Sequence, residues 1–326
     1  MTGMHSRIGP AVGAMGLSLL MLAACQPQSK PGDGLAWAYP HAAKGDLPVP
    51  PGPYHVPGST LVMTYAQVSD DSNPPDWFPS EHPPAPSIVT HATANGATPC
   101  GACHLINGQG FLGAPNLAGL PAGYIIQQVR EFRDGRRRSW EKDRPATKEM
   151  IEEAAAVSDA QAAEAAAYFA GLHRQPWTRV VETQTVPKTK PDHEGWLDPD
   201  PKGGSEPIKG RVIEVAEDFR LMWLEDGHSG VLDYVPVGAV ARGKALVRSG
   251  AQAGLPCASC HGADLRGAGD TPPLSGRSAA YLARMLWDIK TGARRGPAVA
   301  AMQAPAAGLS ESDITDITAY LASLKP

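Results

Sequence analysis

Two pentapeptides, Cys100-Gly-Ala-Cys-His104 and Cys257-Ala-Ser-Cys-His261, stand 157 positions apart, and the sequence around them repeats at the same offset. Pro115 maps to Pro272, Leu117 to Leu274, Gly119 to Gly276, Tyr124 to Tyr281, Gly135 to Gly292, and Arg137-Arg138 to Arg294-Arg295. Further on the offset becomes 152, taking Met150 to Met302, Ser158 to Ser310, Tyr168 to Tyr320 and Leu172 to Leu324. One five-residue length change accounts for the shift. Matches this numerous, in one order, mean that the chain holds two copies of one structural unit.

The C-x-x-C-H pentapeptide is the attachment motif for c-type haem: two thiols add across the porphyrin vinyl groups, and the adjacent His binds the iron. Cys100, Cys103, Cys257 and Cys260 are therefore read as covalent attachment sites for two haem c groups, with His104 and His261 as proximal iron ligands. Structural zinc also uses paired cysteines, but its pairs usually lie within about 20 residues of each other. The fifth cysteine, Cys25, closes Leu-Ala-Ala-Cys after Arg7 and an uncharged apolar run from about Ala11 to Leu22. That is the n-region and h-region of a secretory signal, too short for a transmembrane helix. The end of the run resembles a bacterial lipobox, so residues 1–24 are expected to be removed and Cys25 lipidated. Gln26 follows it and gives no inner-membrane retention signal. No thiol is then left without a role. Export agrees with the haem motifs, since c-type haem is attached outside the bacterial cytoplasm.

The formal charge of −4 gives no basic surplus that would suggest nucleic acid as a partner. Only 6% of residues are aromatic, against 32 prolines and 35 glycines, so buried porphyrin would supply apolar surface that the side chains lack. Fifteen of the 32 prolines fall in residues 26–99, which rules out long helices or central strands there. This stretch starts as a tether and, with Trp37, Tyr39, Trp77 and Phe78, is expected to become an ordered arm around a haem domain. Residues 121–134 read as an amphipathic helix ending at Gly135, with a counterpart before Gly292. Ser158-x-x-Gln161 and Ser310-x-x-Asp313 read as capping signals for the last helix of each copy. Between the copies, 175–206 is polar and Pro-rich, whereas GRVIEVA, FRLMWL and GVLDYVPV within 209–237 read as short strands.

The sixth iron ligand decides the chemistry, because an open haem face binds small ligands while a closed one transfers electrons. A single Met is more often core filler. Met150 and Met302, however, occupy equivalent positions eight residues before Ser158 and Ser310, each after a loop long enough to bring sulfur over the distal face. They are read as the distal ligands; Met63, Met222 and Met285 have no counterpart and are read as packing. Pro115 and Pro272 follow their histidines by eleven residues, so their carbonyls can take the imidazole's second N–H. The run from Arg130 to Arg144 carries seven basic and four acidic residues. It reads either as a solvated helix end or, since Arg137-Arg138 recur as Arg294-Arg295, as a set of haem-propionate contacts.

These residues resemble class I cytochromes c, in particular the tandem dihaem cytochrome c4-like group. The resemblance rests on CGACH, PNLAGLPAGY, REFRDGRR, Met150 and SDAQAAEAAAYFAGL, then CASCH, PPLSGRSAAY, TGARR, Met302 and SESDITDITAYLASL. It implies a mainly α fold of two tandem cytochrome c domains, 99–174 and 241–326, with a Pro-rich arm (25–98) and a linker with a small β insert (175–240). It also implies His/Met iron and electron shuttling between periplasmic or membrane redox proteins. The chain departs from the group by its lipobox, arm and insert, which bear on whether the two haems pack face to face. The resulting expectation is a lipid-anchored dihaem electron carrier on the periplasmic side of a bacterial membrane. Three alternatives are a haem subunit of a larger respiratory complex, a dihaem peroxidase, and a sulfur-oxidising enzyme with a Cys iron ligand. The symmetry of Met150 and Met302 argues against the peroxidase, and the lack of a spare thiol argues against the last.

Overall fold

Prolines at 53, 57, 74, 75, 79, 83, 84 and 86 confine residues 52–99 to turns and two helical fragments, α1 (Tyr65–Val68) and α2 (Ser87–Thr90). The computed structural model describes residues 34–41, 52–192 and 195–326. Cys25 and the signal sequence read above lie outside these residues. Among the described residues no helix is long and apolar enough to cross a membrane.

The first copy continues with α3 (Cys100–His104), α4 (Ala122–Arg133), α5 (Pro145–Ala156) and α6 (Asp159–Ala170). Each boundary has a local cause. Gly135 takes φ 66°, the left-handed turn that ends α4. Pro145 opens α5 at a position whose N–H has no helical acceptor. Ser158 and Gln161 form a reciprocal capping box at the start of α6. The core is built where α4 and α6 meet, around Tyr124, Ile125, Ala166, Phe169 and Leu172.

The connecting segment contains β1 (Thr178–Thr183), β2 (Thr185–Pro187), β3 (Thr189–Pro191), β4 (Leu197–Pro199), β5 (Ser205–Pro207) and β6 (Ile213–Ala216). A helical turn, α7 (Phe219–Trp223), precedes β7 (Val231–Pro236). β7 is the centre of a three-stranded sheet, parallel to β1 from Thr178 opposite Val231 and antiparallel to β6. β2 pairs with β5 and β3 with β4. The FRLMWL strand expected from sequence is instead α7. Asp218 caps it by accepting the Leu221 N–H at 3.0 Å, and this local bond selects helix over extended chain. Strand structure also begins earlier than expected, at Thr178, within the polar Pro-rich stretch.

The second copy comprises α8 (Ala239–Ser249), α9 (Ala258–His261), α10 (Ala279–Lys290), α11 (Ala300–Ala307) and α12 (Glu311–Ser323). α8 crosses α12 at Gly243, where a Cβ would run into the backbone carbonyl of Asp316. Arg242 clamps the same residue with two bonds of 2.7 Å to its carboxylate. Asp233 of β7 accepts the Ala279 N–H at 2.8 Å, tying the sheet to the start of α10. Residues 34–41 pack on this second copy: Leu35 and Tyr39 join Trp287 and Ile314, and Tyr39 donates its hydroxyl to Asp288 at 2.7 Å.

The two copies meet at a contact that maps onto itself. Arg137 bridges Arg294, its own counterpart, with Arg138 N–H donating to Ala293 O at 3.1 Å and Arg295 N–H to Arg136 O at 2.7 Å. A pseudo-twofold axis therefore passes between Arg137 and Arg294.

Candidate haem sites

Each attachment motif folds as a short helix that brings its His toward a loop eleven residues ahead. His104 Nδ1 lies 2.9 Å from Pro115 O, and His261 Nδ1 lies 2.9 Å from Pro272 O. A carbonyl can only accept, so Nδ1 carries the proton and Nε2 keeps its lone pair. Burial, joined by the charge of Arg137 and opposed by the Pro115 bond, lowers the His104 pKa to about 4. Burial also lowers His261. Both imidazoles are thus neutral at neutral pH, the form a metal requires. Desolvation pushes the Cys100 and Cys103 thiols up to about 12 and also raises Cys257. All four motif cysteines are free of disulfides.

In the first copy Cys103, His104 and Met150 line one cavity of about 610 Å³. Met150 stands on α5, the helix that begins at Pro145, so the loop after α4 delivers it on a rigid support. The walls are mixed in origin. The copy itself gives Leu117, Ile125 and Phe132, while Tyr65, Trp196 and Trp223 come from segments outside the repeat. The mostly apolar wall, two free thiols on one helix, a neutral imidazole and a thioether fit a covalently held haem in character and size. In the second copy His261 is buried, Cys257 is half-buried and Cys260 is exposed. Met302, on α11, packs on Ile289, Val299 and Ala306.

At the pseudo-axis the four-residue cluster is reciprocal. Arg137 donates to Gln128 Oε1 at 3.0 Å and to Met285 Sδ at 3.4 Å. Arg294 donates to Gln128 Oε1 at 2.8 Å and to Met285 Sδ at 3.4 Å. Gln128 and Met285 are themselves repeat equivalents, 157 apart. Met285 has no Met counterpart and so reads as packing from sequence, but its counterpart is Gln128, and the structure makes both of them acceptors at the axis. Burial raises the Tyr124 hydroxyl's pKa, but Arg294 and Arg137 outweigh it and bring it down to about 8. Arg294 Nε and Gln128 Nε2 are buried without partners, so the cluster retains donor capacity. Arg138 and Arg295 differ: both are exposed, and Arg138 Nε turns back to Gly135 O at 3.2 Å.

The Cytochrome c family model matches residues 92–173 and 240–325. Cytochrome c4 of Pseudomonas aeruginosa is 29% identical over 235 residues, covering 70% of this chain and 85% of that protein. A thiosulfate dehydrogenase electron acceptor of Thiomonas intermedia is 27% identical, covering 70% of this chain and 79% of that one. Among solved structures, thiosulfate dehydrogenase from Marichromatium purpuratum is 27% identical with a TM-score of 0.48. That alignment covers 72% of this chain and spans 38% of the larger one. The two family segments coincide with the two copies of the repeat, and each encloses one C-x-x-C-H helix. The chain belongs to the cytochrome c family, as a tandem, cytochrome c4-like member that carries two haem c groups.

Proposed function

We propose that the chain is an exported, lipid-anchored electron carrier that relays single electrons between redox proteins on the periplasmic side of a bacterial membrane. The observation that carries this reading is the equivalence of the two sites, each imidazole held by a prolyl carbonyl at 2.9 Å. The bound haem supplies the one-electron couple. In this reading Cys100, Cys103, Cys257 and Cys260 hold the two haems covalently, and His104 and His261 present Nε2 to iron. Pro115 and Pro272 orient the rings so that neither imidazole turns when the iron's charge changes. Met150 and Met302 would supply the second protein ligand of each iron and so keep water and peroxide out, and a thioether ligand favours a high potential. Arg137 and Arg294, buried at the axis, offer charge to propionates of both haems, whereas the exposed Arg138 and Arg295 act through their backbone ladder. Lipidation of Cys25 would keep the carrier at the membrane.

The test is the far-red Met-sulfur-to-iron absorption band of the oxidised holoprotein, quantified per haem. The wild type is expected to show two equivalents, and Met150→Ala or Met302→Ala to remove one each. One equivalent or none in the wild type means an open or differently ligated iron, and the carrier reading then fails.

A further inference from the structure

The wall of the first haem cavity contains a buried carboxyl group that the electron-carrier reading does not use. After α7 the chain turns at Leu224, whose carbonyl accepts Trp77 Nε1–H at 2.6 Å. Glu225 follows with φ 57°, a left-handed conformation that glycine would adopt without strain. That turn directs the Glu225 side chain into the cavity, where Oε2 is enclosed without a hydrogen-bond partner. Asp71, from the turns after α1, is exposed and lines the same cavity, near enough for its charge to act on Glu225.

Charged groups from several elements surround this corner. α3 contributes Cys103, whose thiol is influenced, after burial itself, by Glu149, Glu225, Asp71 and Glu153. α5 contributes Glu149 and Glu153, and Glu153 Oε2 is engaged by the Thr98 N–H at 2.8 Å. Arg137, Arg138 and Arg144 also line the cavity, but none of them contributes to the Glu225 balance. Glu225 therefore lies near the Cys103 thiol that would hold the first haem, with one charged neighbour that matters, Asp71. Burial first, and then the Asp71 charge, raises its pKa well above the carboxylate range.

We propose that Glu225 couples proton uptake to electron uptake at the first haem, with Asp71 as its contact with solvent. One electron from a redox donor reduces ferric iron to ferrous, and one proton from bulk water converts the Glu225 carboxylate to the carboxylic acid. Charge at the corner is then unchanged, and no bond to a substrate forms or breaks. The sign follows from electrostatics: the added electron disfavours the carboxylate, so the reduced state binds the proton more tightly. The first haem's potential therefore falls as pH rises between the carboxyl's pKa values in the oxidised and reduced states.

The inference rests on a haem held at Cys100, Cys103 and His104, and not on the identity of its distal ligand, so the far-red band assay can fail while this one succeeds. The experiment is a spectroelectrochemical titration of the full holoprotein over a range of pH. In the wild type, one of the two potentials is expected to fall by up to about 59 mV per pH unit within a window above the ordinary carboxylate range. Glu225→Gln keeps shape but cannot ionise, so the slope should vanish and the potential hold at its acid-limit value. Asp71→Asn removes the neighbouring charge and should move the window to lower pH with the slope retained. Haem content of two per chain in each variant shows that folding is intact. Potentials flat with pH in the wild type, or a slope unchanged by Glu225→Gln, overturn the proposal.

Discussion

The two copies share a motif, a proline contact and a capping box, yet they are finished differently. In the second, α8 is an eleven-residue helix lying across α12, with Gly243 at the crossing. In the first, the helical turn packed on α6 is only α2, four residues long, because Pro83, Pro84 and Pro86 deny the chain a helix there. What α2 omits is supplied from elsewhere: Tyr54, Val56, Trp77, Phe78 and Leu224 form a separate cluster that joins residues 52–90 to the connecting segment. The first haem site is walled by this added layer, whereas in the second Cys260 and Leu255 are exposed. One repeat thus yields two solvent environments, and haem potential depends on solvent exposure as well as on ligands.

The sharpest way to break this contrast is Trp77→Ala. It empties a buried aromatic site and orphans the Leu224 carbonyl, at a cost of about 3–5 kcal/mol. Hydrogen exchange should show lost protection around α3 and α5 with α12 unaffected; equal loss in both copies would mean that they unfold as one unit. Gly243→Ala probes the opposite side. The added methyl forces α8 from α12 and should cost about 1–3 kcal/mol, with protection lost in α8 and α12 while α6 keeps its own. The smallest effect is a pH dependence confined to the first copy. His82 Nε2 meets Asp76 at 3.2 Å, and this hydrogen bond, opposed by burial, raises the His82 pKa above 6.5. Its contribution is complete below pH 6.5 and is lost as pH rises through the higher folded value. Exchange of residues 76–90 should accelerate over that interval, and Asp76→Asn should abolish the step.

Much of this architecture could be read directly from residues. The repeat offset located both motif helices, and Ser158, Gln161, Ser310 and Asp313 marked the starts of α6 and α12, because capping is a local matter of three residues. FRLMWL reads as a strand because its five apolar and aromatic residues carry no clear period, while the bond that makes Phe219–Trp223 a helix comes from Asp218. The mixed wall of the first cavity was not legible either. Tyr65, Asp71 and Glu225 reach it from positions well before Cys100 or more than 100 after it, and no local pattern encodes such a meeting. The same holds for the reciprocal cluster at Arg137 and Arg294: its members were visible as repeated residues, but not as partners of one another.

That cluster has the geometry of a homodimer interface, in which every residue faces its own twin. A true homodimer cannot change one side of such an interface alone, since one codon specifies both. Here Gln128 and Met285 already occupy the twinned position with different chemistry, an amide oxygen facing a thioether across the axis. Joining the halves in one chain has released them from identity, so the contact between the two copies can be tuned one side at a time.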